Sequence, residues 1–311
     1  MQYQSLYKTT AFILGAFLLP TLAQASEIGV DVREPKISPS HYELEMSTSL
    51  KATQGGFNQY GEYVGYPDGS NAYTLTTTFG FAYRFNQQWE TVLTLPIKRS
   101  SQDFPTGSTR STSVGGAGGT VKFHISGWAH PDIHAGFGSP WKYNKTATAG
   151  DPKASLSPDS GDSTPPGASI PVGVGFSHSF SKFRLAFDST YTFILPNDQN
   201  LSDAPPGYPQ VAVKAANRIK ISQGVAYQLS KEWKLNAGTS QQWSGNTQAD
   251  GTEIAGTASR VYMTKLGASF SPTGQWRYSL TYETLFPFYA YAANQTFGPG
   301  VALMISFVGG S

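Results

Sequence analysis

The feature that most constrains the fold is a strict two-residue alternation of side-chain character between Tyr73 and Phe85. The odd positions are aromatic or apolar, with one threonine, whereas the even positions are threonine, glycine, alanine and arginine. Successive side chains of a β-strand point to opposite faces, so this period predicts a strand with one apolar and one polar face. Its 13 residues exceed the ordinary strand of about 5–6 residues and suit a tilted membrane crossing of about 9–11 residues.

The same alternation returns along the rest of the chain, and no apolar run after residue 25 reaches the length of a membrane-spanning helix. We therefore predict an all-β fold, an antiparallel transmembrane β-barrel of about 12 strands. The predicted strands are 41–52, 72–85, 88–99, 117–126, 131–142, 168–181, 182–195, 215–229, 231–244, 259–271, 275–286 and 297–308.

The segments between the predicted strands alternate between short and long. Short turns are predicted at 86–87, 127–129, 181–182, 230 and 272–274, and long polar loops at 53–71, 100–116, 143–167, 196–214 and 245–258, with a shorter one at 287–296. This rhythm is typical of outer-membrane barrels, whose short turns face the periplasm and whose long loops face outward. A soluble β-sandwich is the alternative, but aromatic residues beside alternate turns favour the girdle of a barrel.

Composition narrows the class further. A mean hydropathy of −0.29 resembles that of a soluble protein, but a barrel wall needs apolar residues only at every second position. The absence of cysteine excludes disulfides and thiol chemistry. The balance of 22 basic and 20 acidic residues gives no reason to expect nucleic acid as a partner.

The N-terminal 25 residues have the layout of a cleaved export signal. Lys8 precedes the apolar run 11–19, and Ala23-Gln24-Ala25 forms a small-x-small cleavage site. We predict residues 1–25 as a signal peptide, 41–311 as the barrel, and the bacterial outer membrane as the location. Residues 26–40 are predicted to be a periplasmic segment, either a loose tail or, as we hypothesise from their alternating apolar residues, a small plug.

If the apolar face meets lipid, the opposite face lines the lumen. The predicted lumen-lining residues are Glu43, Glu45, Arg84, Glu90, Lys98, Lys122, Asp132, Arg184, Asp188, Arg218, Lys220, Lys234, Lys265, Arg277 and Glu283. Basic residues dominate the later strands and acidic residues the earlier ones, so one interpretation is a transverse field that orients a polar or anionic solute. The other is a set of charge ladders that keep a small lumen hydrated and filled.

Two patterns invite a catalytic or metal site. His124, His130 and His134 lie near Asp132, but their spacing matches no established zinc pattern. His178-Ser179 resembles a hydrolase pair, but it lies beside a predicted periplasmic turn, and no carboxylate at a useful spacing completes a triad. We therefore predict no cofactor, no metal and no enzymatic activity.

The first long loop carries Tyr60, Tyr63 and Tyr66. Aromatic rings in an external loop can stack on a sugar or an aromatic solute. An ordinary solvated loop accounts for the same residues, so both interpretations stay open.

Two motifs carry a resemblance to a known family. Ala82-Tyr83-Arg84-Phe85 followed by Trp89-Glu90 and the apolar step to Leu95-Pro96 resembles its strand–turn–strand unit, and residues 115–123 resemble its glycine-rich approach to the next strand. The family is the outer-membrane transporter family named for the MetA pathway of phenol degradation, and the resemblance extends loosely over most of the chain after residue 25. Many outer-membrane proteins end on an aromatic residue, whereas four residues follow Phe307 here.

The resemblance implies transport of aromatic or hydrophobic compounds, and the strand pattern by itself predicts a channel for small solutes. The alternative is a structural or lipid-modifying barrel without a conducting path. The expected partners are outer-membrane lipid, a small-molecule solute and, during biogenesis, the barrel-assembly machinery.

Overall fold

The computed structural model describes residues 41–105, 107–127, 130–139, 141–150, 168–199, 211–285 and 292–310. Its strands are β1 (His41–Thr53), β2 (Gly55–Phe57), β3 (Tyr63–Gly65), β4 (Asn71–Arg84), β5 (Trp89–Phe104), β6 (Gly107–Gly115), β7 (Gly118–His124), β8 (Asp132–Gly138), β9 (Trp141–Gly150), β10 (Ser169–Phe180) and β11 (Phe183–Ile194). They continue with β12 (Asn197–Gln199), β13 (Val211–Lys214), β14 (Arg218–Gln228), β15 (Trp233–Ser244), β16 (Gln248–Ala249), β17 (Thr252–Glu253), β18 (Ser259–Phe270), β19 (Trp276–Thr284), β20 (Gln295–Phe297) and β21 (Gly300–Gly310).

The predicted signal peptide and the predicted plug segment lie outside the described residues. The described part of the chain contains no helix with the length and apolar character that crossing a membrane requires.

Twelve of the strands form one closed antiparallel barrel. Neighbours follow the order β4, β1, β21, β19, β18, β15, β14, β11, β10, β8, β7 and β5, and pairing between β4 and β5 closes the ring. The first and last strands of the wall are neighbours, with His41 opposite Gly310 and Lys51 opposite Gly300. The structure therefore confirms the predicted antiparallel barrel and its even strand number.

Three short turns at one end of the barrel share a hydrogen bond between a side chain and the backbone of a tryptophan. Asn86 accepts a hydrogen bond from the backbone N–H of Trp89 at 2.9 Å, and Ser230 and Thr273 accept the equivalent bond from Trp233 and Trp276. Each tryptophan then packs against a phenylalanine of a neighbouring strand, with ring centroids 4.7–5.0 Å apart. These contacts build the aromatic girdle that the sequence predicts beside the short turns.

The barrel wall reverses the usual distribution of hydrophobicity. On β1, Leu44 is 49% exposed on the outer face, whereas Ser47, on the opposite face of the same strand, is fully buried. The same holds across the wall, where Leu280 is 54% exposed and its neighbour Ser279 is buried. An exterior of exposed leucine, phenylalanine and valine is the surface that a bilayer covers.

The prediction that 100–116 and 143–167 are polar loops was wrong in part, because both contain strand residues. Strand β5 continues to Phe104, where it pairs with β6, and β6 in turn pairs with β9. Below this extension, β5 pairs with β7. The segment is rich in serine and threonine on both faces, so no apolar alternation marks it as strand.

The remaining long loops also contain strands. At the open end of the wall, β2, β3 and β20 form a three-stranded sheet over a small core of Phe57, Leu285 and Ala292. Strands β12, β13, β16 and β17 form a second small sheet that joins two loops far apart in sequence. The predicted loop 53–71 is therefore partly ordered by pairing within itself and with residues 295–297. Loops 196–214 and 245–258 pair with each other through β13 and β16.

Candidate functional site in the barrel interior

The charged residues predicted to line the lumen all lie on barrel strands, and each occupies a position that alternates with the exposed apolar ones. On β14, for example, Arg218 and Lys220 flank Ile219, whose side chain is 45% exposed on the exterior. These residues therefore lie on the face of the wall opposite the exposed apolar side chains. That they contact a passing solute remains a prediction.

The first interior cluster centres on Glu90. Register places Arg84, Glu90 and Lys122 side by side on β4, β5 and β7. The Glu90 carboxylate lies 2.7 Å from the Arg84 guanidinium, 3.5 Å from His124 and 3.9 Å from the Lys122 ammonium, and its side chain is 14% exposed. One carboxylate on β5 thus joins three basic groups of its two neighbouring strands, β4 and β7, next to the short turns.

A second cluster continues from the first across β8, β10 and β11. His134 Nδ1 lies 3.2 Å from Asp132 Oδ1, and its Nε2 lies 3.1 Å from Thr190 Oγ1 and 3.7 Å from Asp188 Oδ2. The Thr190 hydroxyl donates to Asp188 at 2.9 Å. The imidazole therefore links two carboxylates that belong to different strands.

Two glycines of β10 make this link possible. Gly173 lies between His134 and Thr190, and Gly175 lies between Asp132 and Asp188. A Cβ at Gly173 would lie 2.8 Å from His134 Cε1 and 2.5 Å from the Ser189 carbonyl oxygen. Since β10 has no side chain at these two inward positions, groups from β8 and β11 can meet across it.

Sequence reasoning assigned the histidine and Asp132 but missed Thr190 and the two glycines. Glycine at alternate positions of a strand signals a close approach by neighbouring groups. Among the described residues, no group of three or more histidine or acidic side chains is arranged to hold a metal ion. The contacts of the cluster are hydrogen bonds and ion pairs.

Charges in the later strands are also paired locally. The Lys265 ammonium lies 2.6 Å from the Glu283 carboxylate, and both side chains are largely buried. In the strand register, Glu45 of β1 and Arg277 of β19 are both paired with Ser306 of β21. A local pair such as Lys265 and Glu283 is what the charge-ladder interpretation expects. Both that interpretation and a net transverse field remain predictions.

Between the charged clusters, the inner face carries short side chains. Buried inward residues of this kind are Thr76, Thr78, Ser222, Ser240, Ser269 and Ser279. Short side chains take up little of the cross-section that a barrel encloses. The Ser279 hydroxyl donates to the Ser269 hydroxyl at 2.9 Å, so some of these groups bond to one another. The inner wall is therefore polar without being filled by large residues at these positions.

His178 and Ser179 do not form a catalytic pair. They are consecutive residues of β10, so their side chains point to opposite faces of the wall. The His178 ring stacks against Phe180 with centroids 6.4 Å apart. A general base on one face cannot take the proton of a hydroxyl on the other.

The three loop tyrosines do not form one aromatic surface. Tyr63 packs against Phe57 and Phe297 with centroids 5.5 and 5.7 Å apart, whereas Tyr66 packs against Phe104 at 5.3 Å. Tyr60 is 77% exposed. Tyr63 is 48% exposed, and its partial burial in this cluster raises the pKa of its phenol above the usual value of 10.0.

A closed antiparallel barrel of 12 strands with an apolar exterior, a polar interior and short turns at one end is the architecture of bacterial outer-membrane β-barrels. Solved structures agree. The COG4313 outer membrane channel from Pseudomonas putida F1 superposes with a TM-score of 0.62 at 11% identity, covering 87% of this chain and 96% of that one. The translocator domain of the autotransporter NalP from Neisseria meningitidis superposes with a TM-score of 0.53 at 11% identity, covering 97% of each chain.

At this identity the two likenesses concern the fold. No protein-family model matches the sequence, and no curated protein matches it either.

Proposed function

We propose that this protein is an outer-membrane channel for the passive or facilitated passage of small solutes. The observation that carries the proposal is the contrast between the two faces of the closed wall. The outside exposes apolar side chains, whereas the inside carries short hydroxyl side chains and paired charges. A bilayer needs only the first of these surfaces, and a polar inner surface suits a path shared by water and solute.

The size of the barrel limits the solute. Barrels of about 8 strands are filled by their own side chains, whereas barrels of 16–18 strands leave a wide aqueous channel. A wall of 12 strands lies between these limits, so we propose a narrow path that selects among small molecules.

Aromatic or hydrophobic compounds are the proposed solute class. The resemblance to the MetA-pathway transporter family supports this class. Paired charges in the interior favour a ring that also carries a polar group, because such a ring can exchange hydrogen bonds with the wall.

In this proposal, residues 1–25 direct export and are removed, and the barrel-assembly machinery inserts the remaining chain into the outer membrane. Mass spectrometry of the protein purified from outer membranes tests the export step. The expected N-terminus is Ser26, and a mature protein that retains Met1 would refute it.

Planar-bilayer recording of the purified protein tests the channel. We expect discrete conductance steps and a larger conductance after deletion of 27–38. An unchanged conductance after the deletion would refute the plug hypothesis alone. No conductance with or without that segment would favour the alternative, a structural or lipid-modifying barrel.

A charge reversal in the wall tests whether the interior is the path. Lys220→Glu changes an inward residue of β14, whereas Lys231→Glu makes the same change in an exposed turn. In a salt gradient, we expect the reversal potential to shift toward cation preference for the first variant and to stay near that of the wild type for the second. Equal shifts, or none, would show that ions do not pass Lys220.

Solute preference is tested in vesicles that contain the open channel. Vesicle swelling with benzoate is compared with swelling in a sugar of similar size, each after subtraction of the rate in protein-free vesicles. The proposed solute class predicts faster entry of benzoate, and equal or slower entry would remove that class while leaving the channel intact.

A further inference from the structure

Two arginines face outward at the loop end of the wall. Arg99 lies on β5 and Arg110 on β6, and both side chains are exposed. They occupy the face that carries the exposed Leu93 and Leu95 lower on β5. Basic residues on the lipid side of a barrel are costly within the hydrocarbon and tolerated at its boundary.

The length of β5 places Arg99 at that boundary. Trp89 lies in the aromatic girdle beside the short turns, packed against Phe123. Arg99 follows it by ten residues on the same face. At about 3.3 Å per residue and a strand tilt of about 40°, this separation spans roughly 25 Å along the membrane normal, the height of the apolar band. Arg99 is therefore level with the headgroups of the outer leaflet.

Register brings a second guanidinium and a phenol close to Arg99. Ser101, the next outward residue of β5, is paired with Tyr73 on one side and Arg110 on the other. Although Ser101 faces outward, it is only 3% exposed, as expected if these two long side chains cover it. Tyr73 and Arg110 are thus diagonal neighbours of Arg99, within reach of long side chains.

This surface, the Arg99–Arg110–Tyr73 patch, combines charge with apolar contact. Leu75 lies directly opposite Arg99 on β4, and Ile97 precedes it on the same outward face of β5. Along β5, the next acidic residue on this face is Asp103, which is paired with Ser108 further from the membrane. The patch therefore presents two positive charges next to the apolar side chains of Leu75 and Ile97. Asp103 lies on the side of the patch away from the bilayer.

We propose that the Arg99–Arg110–Tyr73 patch binds the phosphate groups of a phosphorylated glycolipid of the outer leaflet, that is, lipopolysaccharide through its lipid A part. Guanidinium groups bind phosphate oxygens in a two-pronged manner, and the phenol can donate a further hydrogen bond. Acyl chains of the same lipid would lie along the apolar face below. The proposal concerns the exterior of the wall and holds whether or not the barrel conducts.

Binding of lipid A to the detergent-purified full chain tests the proposal, with native mass spectrometry as the readout. Each substitution, Arg99→Gln and Arg110→Gln, is expected to weaken binding about fivefold, and the double variant about 30-fold. Lys98→Gln is the matched control, because it removes the same charge from the same strand at an inward position. Lipid A binding of this control should equal that of the wild type.

Intact lipid A, lipid A without phosphates and inorganic phosphate are compared to identify which chemical groups the patch binds. Lipid A without phosphates should bind the wild type as weakly as the double variant binds intact lipid A. Inorganic phosphate at the same concentration should not compete, because it lacks the acyl chains. Migration of unheated samples in gels verifies that each variant is folded.

Wild-type affinity in the folded double variant would overturn the proposal. So would equal weakening by Lys98→Gln, since that result would show a general charge effect. Displacement of lipid A by free phosphate would assign the patch to a soluble anion instead.

Discussion

Substitution of Gly173 by alanine tests the close approach of His134 and Thr190 across β10. The added Cβ would lie 2.5 Å from the Ser189 carbonyl oxygen and 2.8 Å from His134 Cε1. The first contact is with backbone, so relief requires a shift of β10 against β11. Overpacking of this kind costs about 1–3 kcal/mol, and the lower backbone entropy of unfolded alanine offsets about 0.4–1 kcal/mol. We expect the free energy of unfolding to fall by about 1–2 kcal/mol.

Gly300 offers a matched control on the same inner face. A Cβ there would have its nearest neighbours at 3.7 Å, an ordinary contact distance. Gly300→Ala should therefore leave stability unchanged or raise it by up to about 1 kcal/mol. Urea unfolding in lipid vesicles, followed by tryptophan fluorescence, measures both variants. A Gly173→Ala midpoint equal to that of the wild type, or a fall of the same size for Gly300→Ala, would refute the proposed packing across β10.

Three further predictions concern other parts of the chain. Glu90→Gln removes the carboxylate that joins Arg84 and Lys122, and should lower the free energy of unfolding by about 1–3 kcal/mol. The control Glu62→Gln, in an exposed loop, should change the free energy of unfolding by less than about 0.5 kcal/mol. Equal urea midpoints for the two variants would contradict the prediction. Asn294 has a φ of 48° and donates to the carbonyl oxygens of Gly256 and Ala258 at 2.8 and 2.6 Å, so Asn294→Ala should speed proteolysis of loop 245–258 on intact cells. Asn294→Gly, which tolerates the same φ, should speed it less, and unchanged cleavage in both variants would show that this contact does not hold the loop. The pKa of the Tyr63 phenol is raised in the packed loop, so the phenol ionises at a lower pH when the loop is open, and packing of the loop should weaken as the pH rises above 10. The difference in alkaline absorbance between the wild type and Tyr63→Phe should have a midpoint above pH 10. A midpoint at or below pH 10 would exclude burial of that ring.

The wall was predictable from sequence because lipid imposes a period of two on every crossing strand. Tyr73 to Phe85 shows this signal plainly, and the structure places it in β4. Beyond the bilayer the constraint disappears. In β6, serine and threonine occupy both faces, so no hydrophobic pattern predicts this strand. Its pairing with β5 stabilises it.

The inward direction of the charged residues follows from the same alternation, but their partners do not. The contact of His134 with Thr190 depends on the register of three strands and on a glycine between them. Register is set by turn length and by pairing across the whole wall. A sequence names the groups that face inward, whereas the pairs they form depend on offsets that only the folded sheet defines.

The seam between β1 and β21 has a consequence for how this protein can be made. The first wall strand in sequence, β1, pairs with the last, β21. Until that pairing forms, each of the two strands has one edge whose backbone groups lack a partner. Unpaired backbone groups are not tolerated in hydrocarbon, so a chain truncated before Gly300 has no stable place in the bilayer. Insertion should be all-or-none, and the 11 residues of β21 determine whether the 13 residues of β1 can remain in the membrane.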